Sequence, residues 1–269
     1  MPEASHQPPA IDHEPSRAAS RVVAFLEVLL CSGFPTQLAL GGTYVALGFK
    51  VLTPDGGLAT GYVVAVSLLD AALVISLVFL FLIAHGERPR DILLGSRGAG
   101  SITREAALGV YLVPVAFAVA LLVLLLTQRL APWLHTIERN PLQDMLRSPR
   151  DAWLFALVLV VAGGVREEVQ RAFILHRFTR WLGGSTVGLV LSSIAFGAGH
   201  ITQGADAAIA TALLGAFWGI LYLRRGSAAA SMTNHAGFDL LQIAQFLVAR
   251  RSGLVTSCWW LSWKLVAGG

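Results

Sequence analysis

The sequence predicts an all-α fold, a polytopic membrane helix bundle of about six to seven transmembrane helices. Three observations carry that expectation. Charged residues make up only 13% of the chain against 55% hydrophobic ones, whereas a soluble domain carries about 25% charge. Mean hydropathy is +0.66. Apolar runs close to the roughly 20 residues needed to cross a hydrocarbon core alternate with loops that hold most of the lysines and arginines, as topology signals do. The net charge of +4 therefore belongs to loops beside a lipid bilayer and does not imply nucleic acid. Cys31 and Cys258 lie far apart in apolar surroundings, with no CxxC. They make neither a disulfide framework nor a sulfur metal site.

Residues 1–20 are polar and lack an apolar core, so they are expected to form a disordered tail and not a signal peptide. Residues 21–150 then hold the N-terminal membrane spans and an interfacial segment. The first apolar stretch, Val22 to about Phe49, is interrupted by Glu27, Pro35 and several glycines; it either spans with a kink or lies partly along the interface. Thr53-Pro54-Asp55-Gly56-Gly57 is a turn. From about Thr60 to Ala84 runs a strong span, marred only by Asp70, followed by a basic, Gly-rich loop from His85 to Arg104. About Ala106 to Leu126 is the cleanest span, with Pro114 as a tolerated kink. Thr127 to Arg150 alternates charge with Trp133, Leu134, Ile137, Leu142 and Met145, the composition of an interfacial amphipathic segment.

Residues 151–250 read as a helical core of catalytic type. Ala152 to about Arg177 carries Arg166, Glu167, Glu168 and Arg171 within an otherwise apolar run, closed by Arg177 and Arg180. After the Gly183-Gly184-Ser185 turn, about Thr186 to Thr202 carries His200 near its far end. The short link Gln203-Gly204-Ala205-Asp206 leads into a span from about Ala207 to Leu223, in which Gly215 and Gly219 form a small-xxx-small face for close packing. The basic turn Arg224-Arg225-Gly226-Ser227 precedes about Ala228 to Val248, which carries His235. In residues 251–269, Trp259, Trp260, Trp263 and Lys264 suit an interface anchor. Arg177/Arg180 and Arg224/Arg225 fall on one side, opposite Asp206, and the positive-inside rule puts that side in the cytoplasm. No repeat of 20–50 residues is evident.

The chemistry-bearing residues sit where they are expensive to keep. Ionisable groups at membrane depth face a bundle interior or a wet cavity and usually serve function. On a helix Arg171 is one turn from Glu167 and three residues from Glu168, so it can neutralise one carboxylate and leave the other free. The plainer alternative is a buried Glu–Arg bridge that locks two helices. His200 alone reads as a helix-end histidine bonded to a backbone carbonyl, with Phe196 one turn earlier to wall it. His235 has Asp239 one turn later to accept its N–H and fix its tautomer. Their joint occurrence on three of the last four spans points beyond packing. One carboxylate and two imidazoles also make the ligand set of hydrolytic zinc sites, so Glu167, His200 and His235 are candidate Zn²⁺ ligands.

Other signals are absent or weak. The chain has no HExxH, P-loop, dinucleotide fingerprint or GxSxG elbow. Ser192 and Ser193 give no dyad with His200. Asp70 is a lone acid, as well suited to packing as to function. His135 and His176 lie in or beside basic interfacial segments and are expected to be solvated.

Taken in order, Glu167-Glu168-Val169-Gln170-Arg171, Phe196-xxx-His200 and His235-xxx-Asp239 resemble the CPBP family, the CAAX-protein endopeptidases and bacteriocin-processing enzymes also called the Abi family. The family pattern is EExxxR, then FxxxH, then HxxxN or HxxxD, and the resemblance covers about residues 150–248. It implies an intramembrane endopeptidase, an integral protein of the bacterial plasma membrane acting on a membrane-associated peptide or lipidated protein tail. Glu167, with or without Glu168, and His200 would polarise a water. His235, steadied by Asp239, would ligate a metal or stabilise the oxyanion. The chain departs from the pattern in having EExxR, with Ala172 where the family has arginine. Either Arg171 replaces that arginine by pairing with Glu167, leaving Glu168 freer, or the register is unchanged and Arg171 is a new neighbour. By analogy Glu167 is the catalytic glutamate. The competing reading is a non-catalytic membrane scaffold or transporter-like protein that uses the same cluster to pack helices or bind a ligand.

Overall fold

The structure, a computed structural model, describes residues 17–95, 98–137, 142 and 145–251, and every regular element among them is helical. The first apolar stretch is two helices, α1 (Arg17–Leu30) and α2 (Phe34–Ala46), bent by 45° at the break between them. Gly33 makes the bend with φ 83°, left-handed backbone that glycine adopts without steric cost. It also lies flat against the Arg166 guanidinium, where a side chain would collide. Pro35 follows in the first turn of α2, where its missing N–H goes unused. The kink read from Pro35 and the glycines is thus present. Residues 17–20 are helical and not part of a tail, because α1 begins at Arg17; the rest of the expected tail lies outside the described residues.

α3 (Thr60–Ala84) is followed by the short α4 (Pro89–Leu94). α5 (Ala99–Tyr111) and α6 (Val113–Leu130) meet at Leu112, just before Pro114, and run together as one apolar column, Gly100–Leu130. Two buried residues of the segment read as interfacial, Met145 and Leu146, pack with Phe155 and Ile243, so that part of it belongs to the core. Ser148 and Asp151 form a reciprocal capping box at the start of α7 (Pro149–Val158). A π-helical segment, Leu159–Glu167, continues directly into α8 (Glu168–Trp181). α9 (Ser185–Ala198), a 3₁₀ turn (Ile201–Gln203), α10 (Ala205–Arg225) and α11 (Ala229–Arg251) complete the bundle.

Among the described residues, three columns are long and apolar enough to cross a membrane, namely α3, α5 with α6, and α10; the bent α1–α2 pair makes a fourth. The helical bundle is as expected, but this number is smaller than the six or seven runs counted in the sequence. The reason is local: α9 has only 14 residues, the Ala152–Arg177 run is divided among α7, the π segment and α8, and α11 is interrupted by Asn234, His235, Asp239, Gln242 and Gln245. The expected tryptophan anchor at 259–263 lies outside the described residues.

The small face of α10 packs as expected. A Cβ on Gly215 would meet the Phe196 ring of α9 at 2.9 Å, and Gly219 is backed by α8 and α9 through Leu175, Leu189 and Arg171. The two ends of the bundle differ in charge. At one, Arg177 bonds Glu87 at 2.5 Å, Arg225 bonds Glu105 at 2.6–2.8 Å and the Ala228 N–H bonds the Leu93 carbonyl at 2.7 Å. At the other end of α10, Asp206 meets His135 at 2.8 Å. The basic turns thus share a side, opposite Asp206.

Candidate active site

Sequence places two glycines and three charges in a row, Gly163-Gly164-Val165-Arg166-Glu167-Glu168, and the π segment distributes them. A π turn inserts one residue into the helical phase, a feature frequent at functional sites. The glycines let α11 come close: a Cβ on Gly164 would lie 2.6 Å from Cβ of Ala236, and one on Gly163 would lie 2.7 Å from Oδ2 of Asp239. The three charged side chains then face three different neighbours. Arg166 pairs with the buried Asp70 of α3, which also accepts from Thr36 of α2. Glu167 lines a cavity of about 360 Å³ together with His200, His235 and Asp239. Glu168 turns to α11, where its Oε1 lies 2.9 Å from Nδ1 of His235.

The two adjacent glutamates therefore occupy unlike environments. The Glu168 side chain is 1% exposed and its Oε1 also accepts from Arg171. The Glu167 side chain is 21% exposed and lines both the large cavity and a smaller one of about 130 Å³. Of the alternatives open for Arg171, pairing with Glu167 does not occur: Arg171 serves as charge partner to Glu168, three residues earlier on the same helix. Contrary to expectation, Asp239 does not accept the N–H of His235. Its carboxylate lies 3.7 Å from Nε2 of His235, too long for a hydrogen bond, so Glu168 and not Asp239 holds the imidazole by its N–H. Nε2 instead faces Glu167, at 3.8 Å, and Asp239.

His200 sits in the turn after α9. Its Nδ1 donates to the Phe196 carbonyl at 2.8 Å, the helix-end bond expected of it, which leaves Nε2 without that proton in the neutral ring. The Phe196 ring walls the imidazole with centroids 4.8 Å apart. His200 lines both cavities, as Glu167 does. The structure thus brings Glu167, His200, His235 and Asp239 to one cavity, keeps Glu168 behind it, and sets Arg171 on the wall of the smaller one. Its apolar wall includes Val63, Leu146, Phe155, Val158, Ile243 and Phe246.

Several residues read otherwise from the sequence belong to this framework. Asp70 is the partner of Arg166 and so anchors the residue before Glu167; a lone acid in an apolar span was the available signal. Arg177 is not an exposed exit charge: its side chain is 2% exposed, and it binds both Glu27 and Glu87. His176 bonds Glu87 at 2.7 Å and His135 bonds Asp206 at 2.8 Å, so neither is simply solvated. Trp218 of α10, buried against the imidazole of His235, carried no sequence signal beyond its place between Gly215 and Gly219.

Among the described residues no group of three or more His, Cys, Asp or Glu side chains is arranged to hold a metal ion. Glu167, His200 and His235 supply suitable donor types, but they line a cavity without converging on one point.

Residues 149–241 match the family model for Rce1-like proteins, type II CAAX prenyl endopeptidases. This stretch is an Rce1-like domain. It lies within the CPBP/CAAX protease family and includes the π segment, both glutamates, His200, His235 and Asp239. With the apolar columns of α3, α5–α6 and α10, the Rce1-like domain describes an integral membrane peptidase, an intramembrane endopeptidase at the level of family. No curated protein and no solved structure matches the chain significantly.

Proposed function

We propose that the chain hydrolyses a peptide bond in a membrane-associated, lipidated peptide or protein tail, using a water activated by Glu167 and His200. One observation carries the reading: of the two glutamates, the one that faces the cavity, Glu167, shares both the large and the small cavity with His200. In this scheme the water lies between the Glu167 carboxylate and Nε2 of His200. Glu167 removes one proton as the oxygen attacks the carbonyl carbon of the substrate. His235, held at Nδ1 by Glu168, donates from Nε2 in its protonated form to the oxyanion as it develops. Collapse of the tetrahedral intermediate breaks the C–N bond, and Glu167 returns its proton to the leaving amine. The apolar wall along Phe155, Ile243 and Phe246 receives the hydrophobic flank of the substrate.

The scheme contains no step through zinc, because the donors do not converge. Metal analysis of the purified protein beside His200→Ala is expected to give equal, substoichiometric zinc in both. One zinc per chain in the wild type, lost in the variant, would replace the scheme with a metal-centred one.

The decisive experiment uses reconstituted protein and a prenylated, membrane-tethered peptide. At matched levels of folded protein, Glu167→Gln and His200→Gln should each lower the cleavage rate by about 10²-fold or more, the usual worth of a positioned acid–base group. A scaffold or transporter-like protein would tolerate both changes. Cleavage by Glu167→Gln at the wild-type rate would end the hydrolytic reading of this site.

A further inference from the structure

His235 is restrained on one edge by Glu168, but a single hydrogen bond at Nδ1 leaves an imidazole free to rock about that bond. The face of the ring is covered as well. The Trp218 indole lies against it with centroids 3.6 Å apart and planes 15° from parallel. Trp218 is itself 1% exposed and is held by its own polar atom: Nε1 donates to Oδ1 of Asn234 at 2.7 Å. Asn234 is fixed in turn, since its Nδ2 donates to the Gly109 carbonyl of α5 at 2.9 Å. The neighbouring Thr233 hydroxyl donates to the Ala106 carbonyl at 2.9 Å. Close approach of α5 makes these bonds possible, because a Cβ on Gly109 would run into Thr233 and the Ala230 carbonyl.

From this chain of contacts we infer that Trp218 is a positioning residue, which holds the His235 imidazole flat so that Nε2 points into the cavity. The inference rests on the proposed role of His235 and extends it to α10 and α5. Two constraints at right angles, a bond at the ring edge and a plate against the ring face, leave the imidazole one orientation. An aromatic plate suits this task because stacking fixes a plane, which an aliphatic side chain of equal volume does not. The indole N–H adds a second function that phenylalanine lacks, since it sets which way the Asn234 amide faces. Phe196, edge-on to both Trp218 and His235 at centroid distances of 6.2 and 6.1 Å, closes the other side of the stack.

The test compares Trp218→Phe, Trp218→Leu and Trp218→Met with wild type and Glu167→Gln in the reconstituted cleavage assay, reading kcat and KM separately at matched folded protein. Leu and Met fill space without a flat face. They should lower kcat by about 10²-fold, the scale of a misplaced catalytic group, with KM close to wild type. Trp218→Phe restores the plate and should recover kcat to within about tenfold of wild type. Wild-type kcat in Leu or Met would overturn the inference. A change confined to KM would overturn it too, since Trp218 also lines the cavity and would then be a substrate contact. A Phe variant as impaired as Leu would do the same, because volume or the Asn234 bond would then matter and the stack would not. Should Leu and Met fail to fold, the Phe variant decides alone: retained kcat supports the inference and a 10²-fold loss ends it. Glu167→Gln separates this from the reaction scheme. If it cleaves normally the scheme fails; if it is silent while Trp218→Leu is fully active, only the role of Trp218 fails.

Discussion

Glu167 and Glu168 are the same chemical group one residue apart, and their surroundings give them opposite work. Glu168 is enclosed, with Arg171 and His235 both on its Oε1, whereas Glu167 reaches the cavity. Removing the charge of Glu168 leaves the Arg171 guanidinium buried and unpaired, a change that costs about 3–5 kcal/mol in proteins of known energetics. Glu168→Gln should therefore lower Tm in detergent and reduce yield, while Glu167→Gln keeps a Tm close to wild type and loses cleavage. The double variant Glu168→Met with Arg171→Met should recover most of the lost stability, because replacing both members of a buried pair by apolar groups is often neutral. Equal Tm values for the two single glutamine variants would mean that Glu168 is not the buried member. The sequence shows that Arg171 can pair with either glutamate, since it lies within reach of both on a regular helix. It does not show which one, because the π turn ending at Glu167 changes the direction each side chain faces.

The π segment is also the element on which the site depends. Gly163 and Gly164 read in the sequence as small residues before a charged cluster, with nothing to distinguish a loose turn from a close approach. In the fold they are the surface on which α11 rests, and their two contacts differ in kind. A methyl group at Gly164 would meet Cβ of Ala236 at 2.6 Å and its backbone N and Cα at 3.2–3.3 Å, so α11 itself would have to move. Gly164→Ala should cost about 1–3 kcal/mol, the usual price of overpacking, and lower activity along with Tm. A methyl group at Gly163 meets the tip of the Asp239 side chain at 2.7 Å, which can rotate away. Gly163→Ala should keep Tm closer to wild type and still reduce cleavage, because it displaces Asp239 from the cavity wall. A Tm for Gly163→Ala below that of Gly164→Ala would contradict this distinction. The close-packing face of α10, by contrast, is legible in the sequence: Gly215 and Gly219 recur at the spacing of one helix face, and that face meets Phe196 and Leu189 of α9 and Leu175 of α8.

Across the whole molecule, what was legible followed from residue type at fixed spacing within one helix: the apolar columns, the interruption of the first of them by Pro35 and glycines, and the polar positions on three of the last four segments. What was not legible were partnerships between helices distant in sequence, such as Asp70 with Arg166 and Glu27 with Arg177, because local periodicity carries no record of which helices become neighbours. The charge network at the basic end of the bundle is the largest of these. Glu87, in the link between α3 and α4, takes hydrogen bonds from His176 at 2.7 Å, Arg177 at 2.5 Å and Arg180 at 2.6 Å, and so ties that link to α8. Burial pushes its carboxyl up, but the bonds from His176 and Arg177 outweigh it and hold the group down from its ordinary 4.5 to about 2. A carboxyl depressed on folding adds stability that is complete above its unfolded value and disappears as pH falls toward its folded value. Wild-type Tm in detergent should therefore decline between pH 4.5 and about 2, steepest where the unfolded chain takes up a proton that the folded chain does not. Glu87→Gln should be less stable than wild type at neutral pH and lose less on acidification, so that the two Tm curves converge toward pH 2. Parallel curves over that interval would show that Glu87 carries no net share of the attachment of α8, and that Glu27 with Arg177 holds this end of the bundle without it.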